Sequence, residues 1–227
     1  MTRKIFLRNA HSSDWVKKLT DGAQSFNLHL NENSVALFER YLQELLRWNE
    51  RINITALRTP EDIAVKHFLD SLSIVPYLPE QGRMADIGSG GGFPGVPVKI
   101  VQPSLHLTLI EASRKKANFL RHIVRTLELR GIAVWEGRIE SMSGEDPFDC
   151  VTGRAVADLT KFLKIAVPLV KDQGVIVAMK GRNIAGELCA AEEELVNSRL
   201  KLIAEKIFPL PYRGGTRTIL LFKKCFT

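Results

Sequence analysis

Four glycines within five positions follow an acid at the end of a short apolar run, in Met84-Ala85-Asp86-Ile87-Gly88-Ser89-Gly90-Gly91-Gly92-Phe93-Pro94-Gly95. Glycine lets a strand-to-helix turn take positive φ and lets the main chain touch a ligand with no Cβ between, while a helix starting at Pro94 offers unbonded N–H groups. Such a turn is a ligand cradle. Gly90, Gly92 and Gly95 also fit the G-x-G-x-x-G of dinucleotide binders, with Glu111 at a suitable distance, so charge must separate the two readings. A carboxylate at Asp86 repels a pyrophosphate and suits a ligand with an ammonium and a sulfonium, as in S-adenosylmethionine (SAM). A nucleophile elbow around Ser89 is excluded, because residue 87 is isoleucine rather than glycine.

Further groups stand where strands should end. Glu111 closes a second strand, where an acid can accept both ribose hydroxyls. Gly137-Arg138-Ile139-Glu140 follows a third; Ile139 can pack on an adenine face and Glu140 can accept from its amino group. Arg154 ends a fourth strand, and Lys180-Gly181-Arg182 a fifth. Arg154, Lys180 and Arg182 read as a basic rim able to hold a phosphate or a guanine edge. Upstream, His67, Asp70 and Ser71 lie at i, i+3 and i+4 of one helical turn. A Ser-His-Asp hydrolase is a poor reading of them, since adjacent helical side chains supply no oxyanion hole; a polar interdomain contact is the better one.

The elements that must position these residues are legible. Val35, Phe38, Tyr41, Leu42, Leu45 and Leu46 recur at three and four residues, which predicts an amphipathic helix from Asn33 towards Asn53. Thr59-Pro60-Glu61-Asp62 is a helix start, running to about Leu72. Strands are predicted at 83–87, 105–111, 132–136, 148–152 and 175–180, with helices at 114–129 and 158–171. This alternation indicates a parallel sheet covered on both faces. Two last strands, 201–208 and 216–225, have no room for a helix between them and should pair antiparallel. The fold class is therefore α/β: a Rossmann-like class I SAM-dependent methyltransferase with a mostly parallel seven-stranded sheet and an antiparallel last strand. An N-terminal helical extension, 1–75, is expected to precede the catalytic domain, 76–227. Residues 1–30 read as a frayed or helical arm.

The 227-residue chain carries a net charge of +7, which suggests an acidic partner, nucleic acid first. Its three cysteines form no C-x-x-C pair, so no metal is expected and a reducing compartment is. No signal-peptide pattern or membrane-length run is present, and a cytoplasmic monomer is anticipated.

Together the motifs Asp-Ile-Gly-Ser-Gly-Gly-Gly-Phe-Pro-Gly-Val-Pro, Gly-Arg-Ile-Glu, Arg-Ala-Val-Ala, Met-Lys-Gly, Asn53-Ile54-Thr55 and His-Phe-Leu-Asp-Ser-Leu resemble those of the bacterial RsmG family, also called glucose-inhibited division protein B. The resemblance runs from about Leu42 to the carboxyl end. It implies SAM as cofactor and N7 of a guanine in 16S ribosomal RNA, in the small subunit near the decoding centre, as the methyl acceptor. A different RNA, a small molecule or a protein as acceptor is the alternative reading. The resemblance places cofactor contacts on Gly88, Phe93, Ile139, Glu140 and Arg154, beside Asp86, Gly90 and Glu111. Gly153 departs from the pattern, standing where a serine is expected. Guanine N7 carries a lone pair and no proton, so no general base is required and no catalytic residue is assigned; Arg154 and Lys180 could hold the base or its phosphate, with His67 and Asp70 supporting the cleft wall.

Overall fold

A computed structural model describes residues 14–142, 146–154, 158–181 and 184–226. Strands β1 (Gly82–Ile87), β2 (Leu105–Glu111), β3 (Ile132–Glu136), β4 (Phe148–Arg154) and β5 (Val170–Lys180) are mutually parallel. Strand β7 (Thr216–Lys224) runs antiparallel to both β5 and β6 (Leu200–Pro209), because only a short turn joins the last two strands. The seven strands form one sheet in the order β3-β2-β1-β4-β5-β7-β6. Strand order reverses at β1, whose neighbours β2 and β4 lead away in opposite directions. The crevice beyond its carboxyl end is thus the expected ligand position.

One sheet face is covered by α1 (Asp14–Gln24), α2 (Glu32–Ile52), α5 (Gly95–Val101), α6 (Arg114–Thr126) and the segment from Pro60 to Leu72. Asn31 caps α2 by accepting from the Ser34 N–H at 2.8 Å. Asn53 ends that helix in the left-handed region. Thr59 caps α3 (Pro60–Ile63), with Pro60 in the first turn. The single helix predicted from there to Leu72 instead widens into a π-helical segment, Ala64–Leu69, before α4 (Asp70–Leu72). Such widening is frequent at functional sites.

The opposite face carries α7 (Leu159–Ala166) and α8 (Ala185–Asn197). Helix α8 was not legible in the sequence, because it buries little: Ala191 is its one fully buried residue. Gly153, the departure from the family pattern, has a packing reason. A Cβ there would come within 2.5 Å of the Phe162 ring of α7.

Aromatic packing joins the N-terminal helices to the glycine turn. Phe38 of α2 meets Phe68 at 4.9 Å, Tyr41 stacks on Phe68 at 5.3 Å and on Phe93 at 5.6 Å, and His67 stacks on Phe93 at 4.3 Å. Each such pair adds about 0.5–1.5 kcal/mol beyond area burial. Tyr41 further donates its hydroxyl proton to the Gly91 carbonyl. The N-terminal helices therefore build one wall of the glycine turn.

Candidate active site

The turn after β1 is held by its own main chain and by two acids. Gly88 and Ser89 donate N–H bonds to the Ile110 carbonyl of β2 at 2.9 and 3.1 Å, and Gly92 and Phe93 donate to Ser89. Gly90 lies at φ +57°, and a Cβ there would find nothing nearer than the Gly88 carbonyl at 3.8 Å. Open space beside a left-handed residue is what a close ligand needs. Gly92 differs: at φ +93°, a Cβ would meet Tyr41 Oη and Val96 Cγ2 at 2.7 Å.

Glu111 closes β2 with both carboxylate oxygens oriented. Oε2 accepts from Gly90 N–H at 2.8 Å, and Oε1 accepts from Ser113 N–H at 2.7 Å. The acid thereby also holds the start of α6. Each oxygen retains a lone pair for a further donor. Asp86 is fully buried, rather than lining the cleft as its charge suggested. Its Oδ2 accepts from Gly95 N–H at 3.0 Å, and Oδ1 has no partner among the described residues. Burial pushes its pKa up to about 7, against the Gly95 bond.

Arg154, at the end of β4, reaches the N-terminal wall. Its guanidinium donates to the Lys66 carbonyl at 3.2 Å, to Asp70 Oδ2 at 3.3 Å and to His67 Nδ1 at 3.1 Å, and lies 4.9 Å over the Phe93 ring. Nδ1 of His67 also lies 3.1 Å from the Lys66 carbonyl, so it meets the guanidinium donor and a carbonyl acceptor together. Nε2 shares a hydrogen bond with Thr55 Oγ1 at 2.7 Å. Arg217 of β7 donates from Nε to the other Asp70 oxygen at 2.8 Å. Burial raises the Asp70 pKa, and the two arginines oppose that rise. Ser71 donates to the His67 carbonyl at 2.6 Å, which disposes of a hydrolase triad.

Burial and then the Arg154 charge lower the His67 pKa to about 3. An unfolded histidine titrates near 6.5, so between those limits the unfolded chain binds more protons. Stability from this group is complete above about pH 6.5 and is lost as pH falls towards 3, at a slope of at most about 1.4 kcal/mol per pH unit. His67→Gln should flatten that acid limb in denaturant titrations between pH 4 and 6.5. An unchanged slope would refute the buried neutral imidazole.

Lys66, His67, Asp70, Arg154, Met179, Lys180, Glu187 and Arg217 line a cavity of about 550 Å³ next to Phe93. Lys180 is not the exposed rim cation that the sequence suggested; it pairs with Glu187 of α8 at 2.7 Å. Arg182 lies outside the described residues, as does the side chain of Glu140. Ile139 is half-buried in a single 3-10 turn (Ile139–Ser141) after β3. Tyr41, Arg217 and Glu187 carry no local signal in the sequence, whereas Thr55 belongs to the Asn53-Ile54-Thr55 motif.

A mostly parallel sheet with a reversed β7, a glycine turn after β1 and a fixed acid closing β2 define the class I SAM-dependent methyltransferases. The residues fit that cofactor: open space at Gly90 and an oriented Glu111 with lone pairs to spare suit a ligand with hydroxyl donors. A crystal structure of M. jannaschii TYW2 in complex with AdoMet superposes with a TM-score of 0.57 at 18% identity, over 70% of this chain and 75% of that one. The B. subtilis M1A22 tRNA methyltransferase TrmK gives 0.56 at 18% identity, over 68% and 65%. More specifically, a family model described as rRNA small subunit methyltransferase G matches residues 34–208, and the chain belongs to that family. Ribosomal RNA small subunit methyltransferase G of Syntrophus aciditrophicus is 40% identical over 222 residues, 95% of this chain and 92% of that protein. The relative of the same name from Caldanaerobacter subterraneus is 43% identical over 175 residues, 74% of this chain and 73% of its own length.

Proposed function

We propose that this chain transfers a methyl group from SAM to N7 of a guanine in 16S rRNA, in the decoding-region loop of the small subunit, within the cytoplasm. A helical extension within residues 1–75 precedes a catalytic domain, 76–227. The observation that supports the N7 reading is that the candidate bases of the cavity wall are already bonded within the protein. Both ring nitrogens of His67 are engaged, Nδ1 by Arg154 and the Lys66 carbonyl and Nε2 by Thr55, and Asp70 is held by two arginines. Glu187, the other acid of the wall, is likewise bonded to Lys180 and to the Leu159 N–H, so each candidate base already has a partner. A nucleophile that arrives without a proton, such as a purine N7, suits these walls; an exocyclic amine or a hydroxyl does not.

The cofactor, when bound, supplies an electrophilic methyl on a sulfonium. Glu111, with Gly88 and Gly90, would receive its ribose and main-chain contacts, Phe93 and Ile139 its apolar surfaces, and Glu140 its amino group. Arg154, stacked on Phe93, ties the cofactor side of the cleft to the cavity and holds its acceptors in place. Positioning and electrostatics then dominate catalysis. The test is tritiated methyl transfer to small subunits from a strain lacking the modification, with the product mapped as 7-methylguanine. Methylation at an exocyclic amine, or of a small molecule in preference to rRNA, would overturn the reading.

A further inference from the structure

Two of the rim charges that the sequence pointed to are neutralised within the protein, Arg154 on Asp70, which Arg217 also holds, and Lys180 on Glu187; the third, Arg182, lies outside the described residues. A different set of cations surrounds the cofactor turn. Arg114, Lys115 and Lys116 occupy the first turn of α6, which holds no acid, and none of the three has an ion-pair partner among the described residues. Cations at that end of a helix oppose its dipole, so the fold gains nothing from them there. Helix α2 runs antiparallel beside α6: Glu44 bonds to His122 at 2.6 Å and, a turn later, Trp48 packs on Phe119 at 5.6 Å. The end of α2 therefore meets the start of α6, bringing exposed Arg51 to the same edge, and exposed Arg58 follows in the loop after that helix. Both ends converge on the glycine turn. Ile54 lies 2.8 Å from a Cβ built at Gly91, and Gly90 bonds to the Glu111 that also holds Ser113. No acid occurs between Arg51 and Arg58 or between Ala112 and Asn118.

We infer that Arg51, Arg58, Arg114, Lys115 and Lys116 form a track for the phosphate backbone of the substrate RNA, leading past the cofactor turn to the cavity. This rests on the rRNA reading above. Phosphate contacts fix register and orientation without reading sequence, which is what surface cations beside a deeper base pocket can do.

The experiment compares wild type with Arg114→Gln/Lys115→Gln/Lys116→Gln and with a charge-matched control on the far strands, Lys201→Gln/Lys206→Gln/Lys223→Gln. A full-length 16S rRNA transcript is the binding probe, titrated from 50 to 300 mM KCl; SAM affinity and melting temperature are measured on the same proteins, and methylation on small subunits. The track predicts RNA affinity at least tenfold weaker for the α6 triple, with its log–log salt slope smaller by about 2–3. SAM affinity should stay within twofold and the melting temperature should rise, since unfavourable cations have left a helix start. The control should keep the wild-type slope. Equal slopes for wild type and the α6 triple, with wild-type methylation intact, would overturn the track and leave the rRNA reading standing. A wild type that neither binds nor methylates rRNA would overturn both.

Discussion

Arg154→Ala is expected to abolish methyl transfer to small subunits while also destabilising the fold by about 3 kcal/mol. The second effect follows from Asp70, a carboxylate 3% exposed whose two oxygens are shared between Arg154 and Arg217. Removing one partner of a buried pair costs about 3–5 kcal/mol, and the remaining Arg217 keeps the loss at the low end of that range. The first effect follows from geometry: one guanidinium fixes His67, the Lys66 carbonyl and Asp70 while covering Phe93. Arg154→Lys separates the two. Its ammonium can satisfy Asp70 but lacks the planar fork that reaches three acceptors and stacks on a ring, so stability should largely return while turnover stays at least 100-fold down. Full turnover in either variant, measured on small subunits at saturating SAM, would remove Arg154 from the reaction.

Gly90→Asp is expected to lower SAM affinity by at least about 100-fold, or about 2.7 kcal/mol, and to leave the protein folded. A side chain has room there, with the nearest atom 3.8 Å from a Cβ. Aspartate also tolerates the left-handed region better than most residues. What the new carboxylate does is fill the open space and face Glu111, whose Oε2 accepts from the same Gly90 N–H. Like charges at that range displace each other and the ligand together. Gly92→Ala is the contrasting variant. There the φ is strained and a Cβ would approach Tyr41 Oη and Val96 to 2.7 Å. The change should cost about 3 kcal/mol of stability, from backbone strain and overpacking together. Tyr41 cannot move aside freely, because it also holds Gly91. Calorimetry with SAM beside thermal melts distinguishes the two variants; undiminished affinity in Gly90→Asp would show that the turn is not the cradle.

The sequence by itself determined what depends on neighbours along the chain. Alternating strand and helix periods, the capping residue Thr59, the glycine turn and Glu111 at the end of β2 are all local patterns, set by residues a few positions apart. The edges were least legible where burial is weak, as in α8, or where a helix widens, as between Ala64 and Leu69. Only the tertiary structure decided which charges are used internally. Asp70 meets Arg154 and Arg217 from 84 and 147 residues away, and Lys180 at the end of β5 pairs with Glu187 in the first turn of α8. Asp86 likewise reads as an anion facing the ligand until the turn and α5 close over it, and burial then raises its pKa. A side chain's charge and direction depend on which groups exclude water around it, and contacts distant in sequence set that exclusion.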